Sequence, residues 1–356
     1  MRVLVLGGSG YVGHRVTERL VARGDEVAVV SRGNLHPAVL ESVEHIQLDR
    51  KDRAAFEAAF RDRYYDAVID NIAYDREDAD SAIRALRGRI GQYLYTSTMA
   101  VYDGSRMDRP VRESDDVVTH MLTEAEVSGS ALHPNPARAL TYTNGKRQVE
   151  LAFQDASHDF PYTALRAPIV VGPDDRTQRI WWFVQRIQDG GPLIYPDWGH
   201  GRVFQVVYAD DLAAAFLSAL GNPAAYNKAF NIAQADVLSP ESWVVGLAAG
   251  LGATAHSVRI PEHLLAPAGL EGYTMPIAGR PFGHFLMDLT AAYRYLDFRP
   301  APLEQWIGET ARGCAAAPPP QDSQGYERRA EEVAVAKRFE ELQEGFYRSF
   351  ASHHLR

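Results

Sequence analysis

The chain has 356 residues, 46% of them hydrophobic, which is enough to bury a substantial core in one large domain or two. Its formal net charge of −9, mixed along the sequence without a long basic run, disfavours nucleic acid or a membrane surface as a partner. A single cysteine, Cys314, excludes an intramolecular disulfide and leaves no thiolate cluster for a metal.

The first apolar run, residues 3–6, is too short for a signal peptide, and no apolar stretch approaches about 18 residues. The expectation is a soluble, cytoplasmic protein. Residues 2–8 (RVLVLGG) predict a buried strand, 11–24 a helix ended by glycine, and 25–33 (DEVAVVSRG) a second strand. Strands follow at 42–49, 65–73 and 92–99, with helices at 51–63 and 81–89 between them. Repeated strand–helix–strand units with nearly continuous apolar strands predict an α/β fold, a parallel sheet covered on both faces. The pattern lapses over 103–140, a polar, Pro/Gly-punctuated stretch with one short helix expected near 121–127. Periodicity returns with a helix over 142–158 and a strand over 162–172. Residues 174–202 read as irregular apart from a short helix in WWFVQRIQDG. A strand feeding a helix is expected over 204–222, another strand at 228–233, and a helix from Ser239. A Pro-rich linker then leads to an amphipathic helix with Tyr326, Ala330, Val333, Phe339, Leu342, Phe346 and Phe350 at helical spacing.

LVLGGSGYVG places Gly7, Gly10 and Gly13 between the first strand and the first helix. Dinucleotide phosphates need close backbone approach and a positive helix end, so Gly7, Gly10, Tyr11, Val12 and Gly13 form a candidate cofactor loop. The second strand ends at Ser31 and Arg32, where a site for NAD would usually carry an acid on the ribose diol. A guanidinium suits a 2′-phosphate, so NADP is the expected cofactor and NAD the alternative. Asp49, after the third strand, suits an adenine amine or the cap of the next helix.

TYTNGKRQ, residues 141–148, contains Tyr142-x-x-x-Lys146. With 17 tyrosines, chance alone yields about 0.2 tyrosine–lysine pairs at this spacing. On a helix the two side chains share one face, and the lysine's charge favours tyrosinate, so the phenol can exchange a proton.

GGSGYVG, YTSTMAVYDG, Tyr142-x-x-x-Lys146, LRAPIVVGP and VVYADDLAAAF occur in the order seen in the extended short-chain dehydrogenase/reductases. Over roughly residues 1–310 the chain resembles their NAD-dependent epimerase/dehydratase group. The resemblance implies a Rossmann-type doubly wound sheet over 1–171, completed by 203–234. It further implies a smaller substrate-binding lobe from 172–202 and 235–313; residues 314–356, beyond the resemblance, are by their own composition and spacing the expected linker and C-terminal helix. It makes Thr98, four residues before Tyr102, a catalytic hydroxyl, with Ser97 as a substrate-side neighbour. Tyr142 passes the proton, and Lys146 binds the nicotinamide ribose. Asn71 and Ala73, at the end of the fourth strand, join the expected cofactor site.

Met99 and Ala100 follow Thr98 where dehydratases and decarboxylases of the group usually carry a carboxylate, which disfavours elimination. Ile169 and Phe204 replace an asparagine and an arginine common in nucleotide-sugar enzymes; Arg202 and Arg280 are the candidate diphosphate or carboxylate ligands. His120 and His133, in the long loop, lack a metal-binding spacing.

The leading expectation is an NADP- or NAD-dependent epimerase acting on a secondary alcohol of a sugar or nucleotide sugar through a ketone. A ketoreductase of a small metabolite is the alternative. A nucleotide-sensing or RNA-binding relative without catalysis is the reading from a different class. Pairing through the helix bearing Tyr142 is common in the family, so the resemblance also implies a homodimer.

Overall fold

A computed structural model of the chain describes residues 1–33, 42–102, 109–115, 118–128, 136–175, 177–197, 203–271, 273, 275–277 and 286–354. In chain order the first elements are β1 (Arg2–Leu6), α1 (Tyr11–Ala22), β2 (Glu26–Ser31), β3 (Glu44–Gln47), α2 (Arg53–Phe60), β4 (Tyr65–Asp70), α3 (Arg76–Leu86) and β5 (Ile90–Thr98). Then come α4 (Glu124–Ser128), α5 (Pro136–Asp155), β6 (Tyr162–Ala167), β7 (Ile169–Val171), α6 (Arg179–Gln188), β8 (Leu193–Asp197), β9 (Val206–Tyr208) and α7 (Ala209–Ala219). The chain continues through β10 (Lys228–Asn231), α8 (Pro240–Gly250), β11 (Ser257–Pro261), α9 (Glu262–Leu265), α10 (Thr290–Leu296), α11 (Leu303–Ala316) and α12 (Arg329–His354).

Two compact units result. The first comprises Met1–Val170, Gln205–Asp236 and Phe285–Ala301; the second comprises Val171–Phe204, Val237–His284 and Pro302–Arg356. The first unit holds a seven-stranded sheet in the order β10-β6-β5-β4-β1-β2-β3, with every pairing parallel. Parallel neighbours need crossover connections, and the helices that supply them cover both faces. Alternate residues of each strand feed two separate cores. Val3, Val5, Val29, Ile69 and Leu94 pack with Val16 and Leu20 of α1 and Leu212 and Phe216 of α7. Leu4, Leu6, Val30, Val68, Tyr93 and Tyr95 pack with Phe56 and Phe60 of α2, Ile83 of α3 and Phe153 of α5. The strand order reverses between β1 and β4, and in such sheets ligands bind at the carboxyl ends of the strands beside that reversal. The fold is therefore the expected Rossmann-type doubly wound α/β sheet.

Three stretches depart from their predicted course. The strand over 162–172 breaks into β6 and β7 at Pro168, which has no N–H to offer a ladder. Helix α5 starts at Pro136, six residues before the expected start, because proline suits a helix's first turn. Residues 193–197, expected to be irregular, form β8, which pairs in parallel with β11 in the second unit.

Residues 285–301, assigned from sequence to the smaller lobe, belong to the first unit. There Ala292, Leu296 and Phe298 bury beside Phe230 of β10. Helix α12 belongs to the second unit, and Ala336 packs with Ile194 of β8 and Ile260 of β11. A buried ion pair from Arg186 of α6 to Glu332 (2.7 Å) fixes its first half. Leu342, Phe346, Tyr347 and Phe350 in its second half are exposed. No helix among the described residues is long and apolar enough to cross a membrane.

Candidate active site

The glycine loop closes the carboxyl end of β1. Gly7 takes a positive φ of 78° and donates its N–H to Val30 of β2 (3.1 Å), while Gly10 donates back to the Gly7 carbonyl (2.9 Å). Helix α1 then rises directly over the loop. A Cβ on Gly13 would lie 2.1 Å from the Gly7 oxygen, so only glycine permits this approach. Gly10 caps α1 without a side-chain hydrogen bond, and the first turn, with Tyr11 and Val12, carries no acid. The positive end of the helix is thus not neutralised by its own first turn, which is the electrostatic requirement for a phosphate. Arg15 lies over the Tyr11 ring (4.8 Å) and reaches Asp210 at the start of α7 (3.2 Å).

At the end of β2, the Ser31 hydroxyl lies 2.9 Å from His45 Nε2 on β3 and accepts the Gly33 N–H (3.3 Å). Arg32 is exposed, and its carbonyl accepts from Gln47 (3.3 Å). Asp49 is also exposed and accepts the Lys51 N–H (2.9 Å). Asp52 rather than Asp49 caps α2, accepting from Ala55 (3.1 Å).

The loop after β4 is built on buried charge. Asp70, fully buried, accepts from Arg50 and from the Tyr93 hydroxyl, and it also takes the Ile72 N–H (2.7 Å). Asp78, equally buried, accepts the Tyr74 N–H (2.8 Å) and ion-pairs with Lys51 and Arg53. Together these groups pin residues 71–75 at the strand ends. The acid-rich run DREDAD after β4 was the only hint of this network in the sequence. Asn71 bonds backbone to Leu6 of β1 (3.1 Å), and its side-chain oxygen accepts from Thr96 of β5 (2.8 Å). Its Nδ2 is buried with no hydrogen-bond partner among the described residues, so it retains a donor for a bound group.

Helix α5 carries the expected catalytic pair and brings Lys146 to this loop. Lys146 is 2% exposed, and its ammonium donates to the carbonyls of Ala73 (2.7 Å) and Thr96 (2.8 Å). Burial pushes its pKa down to about 8, with Asp70 and Asp78 opposing the shift. Tyr142, one turn earlier, is 39% exposed. Thr98, which ends β5 two residues beyond Thr96, is buried, and its hydroxyl accepts the Ala100 N–H (3.2 Å).

The same helix segment has a second function. Asn144 accepts from the Leu122 N–H (2.8 Å) and donates to the Leu122 carbonyl (2.9 Å). Arg147, buried, donates to the carbonyls of Val101 (2.9 Å) and His120 (2.6 Å). TYTNGKRQ therefore carries Tyr142 and Lys146 and also anchors part of the long loop.

Ser97 lies on the opposite strand face from Thr98, as the period of two requires, and its hydroxyl is committed to Glu150 of α5. Glu150 is held by Arg166 of β6 through two contacts (3.0 and 2.6 Å), and Arg166 continues to the Tyr102 hydroxyl (2.7 Å) and thence to Asn231 (2.8 Å). Arg202, Arg280 and His133 lie outside the described residues. His120 is exposed, 2.8 Å from Glu126.

Comparison with known proteins bears on this arrangement. The family described as NAD dependent epimerase/dehydratase matches residues 3–233. The chloroplast stem-loop binding protein of 41 kDa b of Arabidopsis thaliana is 26% identical over 65% of this chain and 58% of its own length. The 2'-dehydrokanamycin reductase of Streptomyces kanamyceticus is 29% identical over 62% of this chain and 58% of its own. The chain thus spans less than two thirds of the length of these relatives. Among solved structures, the UDP-glucose 4-epimerase of Thermotoga maritima with UDP-glucose shares the fold, with a TM-score of 0.65 at 20% identity. That match covers 89% of this chain and 99% of the other.

Proposed function

The chain belongs to the NAD dependent epimerase/dehydratase family, and from that premise we propose that it performs redox chemistry at a secondary alcohol of a sugar or nucleotide sugar. The observation that carries the proposal is Lys146, an ammonium buried against the carbonyls of Ala73 and Thr96 on the helix that presents Tyr142. In this reading Tyr142 exchanges a proton with the reacting oxygen, and Thr98 orients that oxygen at the end of β5. Lys146 holds charge beside the phenol and keeps its third proton for a ribose hydroxyl.

A dinucleotide fits the residues present. The Gly7–Gly13 cradle leaves no room for a Cβ at Gly13, and the buried Asn71 Nδ2 retains a donor. Tyr11 and Val12 lie where the first turn of α1 would meet a pyrophosphate. Ser31, Arg32 and Asp49 would hold the adenosine half, with Arg32 favouring the 2′-phosphate of NADP over NAD. The nicotinamide, when bound, supplies hydride acceptance and donation. Arg202 and Arg280 remain the proposed ligands for an anionic substrate group.

A self-regenerating epimerase is the reading we favour, working as a cytoplasmic homodimer. The similarity to a 2'-dehydrokanamycin reductase supports net ketone reduction as the second reading. Mass spectrometry of the purified protein separates them. Tightly retained dinucleotide supports the epimerase, and an empty site that takes up NADPH reversibly supports the reductase. Salt-sensitive RNA binding with no dinucleotide uptake would overturn both.

A further inference from the structure

Tyr74 was not singled out by any sequence motif, yet its ring centroid lies 4.7 Å from the Lys146 ammonium. Two other sides of that ammonium are closed by the carbonyls of Ala73 and Thr96. The loop bearing Tyr74 is fixed through its main chain. Its N–H is taken by Asp78 (2.8 Å), and its carbonyl oxygen abuts Gly145 of α5. Changing the side chain therefore leaves those anchors intact. The residue is 47% exposed, so its aromatic bulk is not explained by a place in the core.

We infer that Tyr74 is a positioning residue, its ring walling one flank of the Lys146 ammonium and limiting water there, while the ammonium's third proton is left for the ribose hydroxyl. The inference rests on the proposed role of the Tyr142–Lys146 pair and deepens it. Partial burial raises the Tyr74 phenol above its ordinary range, and the charge of Tyr142 adds to that shift. The ring's contribution is its face and its bulk, so phenylalanine should replace it.

The charges that act on Lys146 are Asp70 at the end of β4, Asp78 on α3 and Glu150 on α5, which favour its charged form, and Arg50, which opposes it. None is removed by a change at Tyr74. Water hydrates an ammonium more strongly than a ring face attracts it, so opening this wall raises the lysine's pKa toward its ordinary value.

The test is an NMR titration of 15N-labelled lysine side chains. Only four lysines are present, and the Lys146 signal is the one lost in K146M. In Tyr74→Ala the Lys146 midpoint should rise from about 8 by roughly one unit or more, and in Tyr74→Phe it should stay in place. An unchanged midpoint in Tyr74→Ala, or an equal rise in both variants, overturns the inference. Binding of NADP+ and NAD+ to K146M separates this from the wider reading. Wild-type affinity there would remove Lys146 from the cofactor site, while the Tyr74 result is read from its own titration.

Discussion

A Cβ placed on Gly145 would lie 2.3 Å from the carbonyl oxygen of Tyr74. Helix α5 meets the loop after β4 at backbone contact, and the missing side chain lets Lys146, the next residue, reach the carbonyls of Ala73 and Thr96. Replacing an interior helical glycine by alanine ordinarily stabilises by about 1 kcal/mol. Here the sign reverses. Gly145→Ala should destabilise by about 1–3 kcal/mol through overpacking, measured by denaturant unfolding, and should loosen dinucleotide binding as Lys146 is displaced.

Lys146 also gives stability a pH dependence of known sign. Its folded pKa of about 8 lies below its ordinary value of 10.5, so the unfolded chain binds more protons between those limits. The contribution of this residue therefore disfavours folding below about 8 and is relieved as pH rises through the window. Unfolding free energies of wild type and Lys146→Met, compared from pH 7 to 10.5, should show wild type gaining on the variant across that range. A constant difference would mean that the ammonium is hydrated in the folded protein.

The pair Glu150–Arg166 lies wholly inside the first unit, both partners buried, and holds Ser97 and Tyr102 in place. Breaking it from one side leaves an uncompensated charge. Glu150→Gln should lower stability by about 3–5 kcal/mol, and Glu150→Leu combined with Arg166→Met should cost less than Glu150→Gln alone. Urea midpoints of the three proteins decide the point.

Arg32 is exposed at the end of β2. If it binds a 2′-phosphate, Arg32→Ala should weaken NADP+ by about 10- to 100-fold, equivalent to one or two charge-assisted hydrogen bonds. NAD+ binding should change little. Titration calorimetry with both nucleotides measures the ratio, and equal losses would assign Arg32 a structural role instead.

The long stretch after Tyr102 shows the limit of pattern reading. Asn144 and Arg147 hold residues 120–122 against α5 and the turn after β5. Nothing in the polar composition of that stretch announces these contacts. Asn144 and Arg147 would pass in sequence for ordinary surface residues of an amphipathic helix. Ser97 shows the same limit in reverse. Adjacency to Thr98 drew it toward the substrate, whereas the pleat of β5 turns it to Glu150.

What the sequence determined alone was whatever repeats with a local period or needs a particular residue at a particular backbone position. Apolar runs of strand length alternating with helical stripes specify a parallel sheet covered on both faces. Gly7, Gly10 and Gly13 specify a tight turn into α1, and Tyr142 and Lys146, four apart, must share a helix face. Only the tertiary structure decided which distant groups meet. Arg50, Asp70, Asp78 and Tyr93 converge from four separate segments, and Tyr74 reaches Lys146 across 72 residues of chain. Such contacts arise because burying charge requires a partner, and the partner is supplied by strand order rather than by neighbours in sequence.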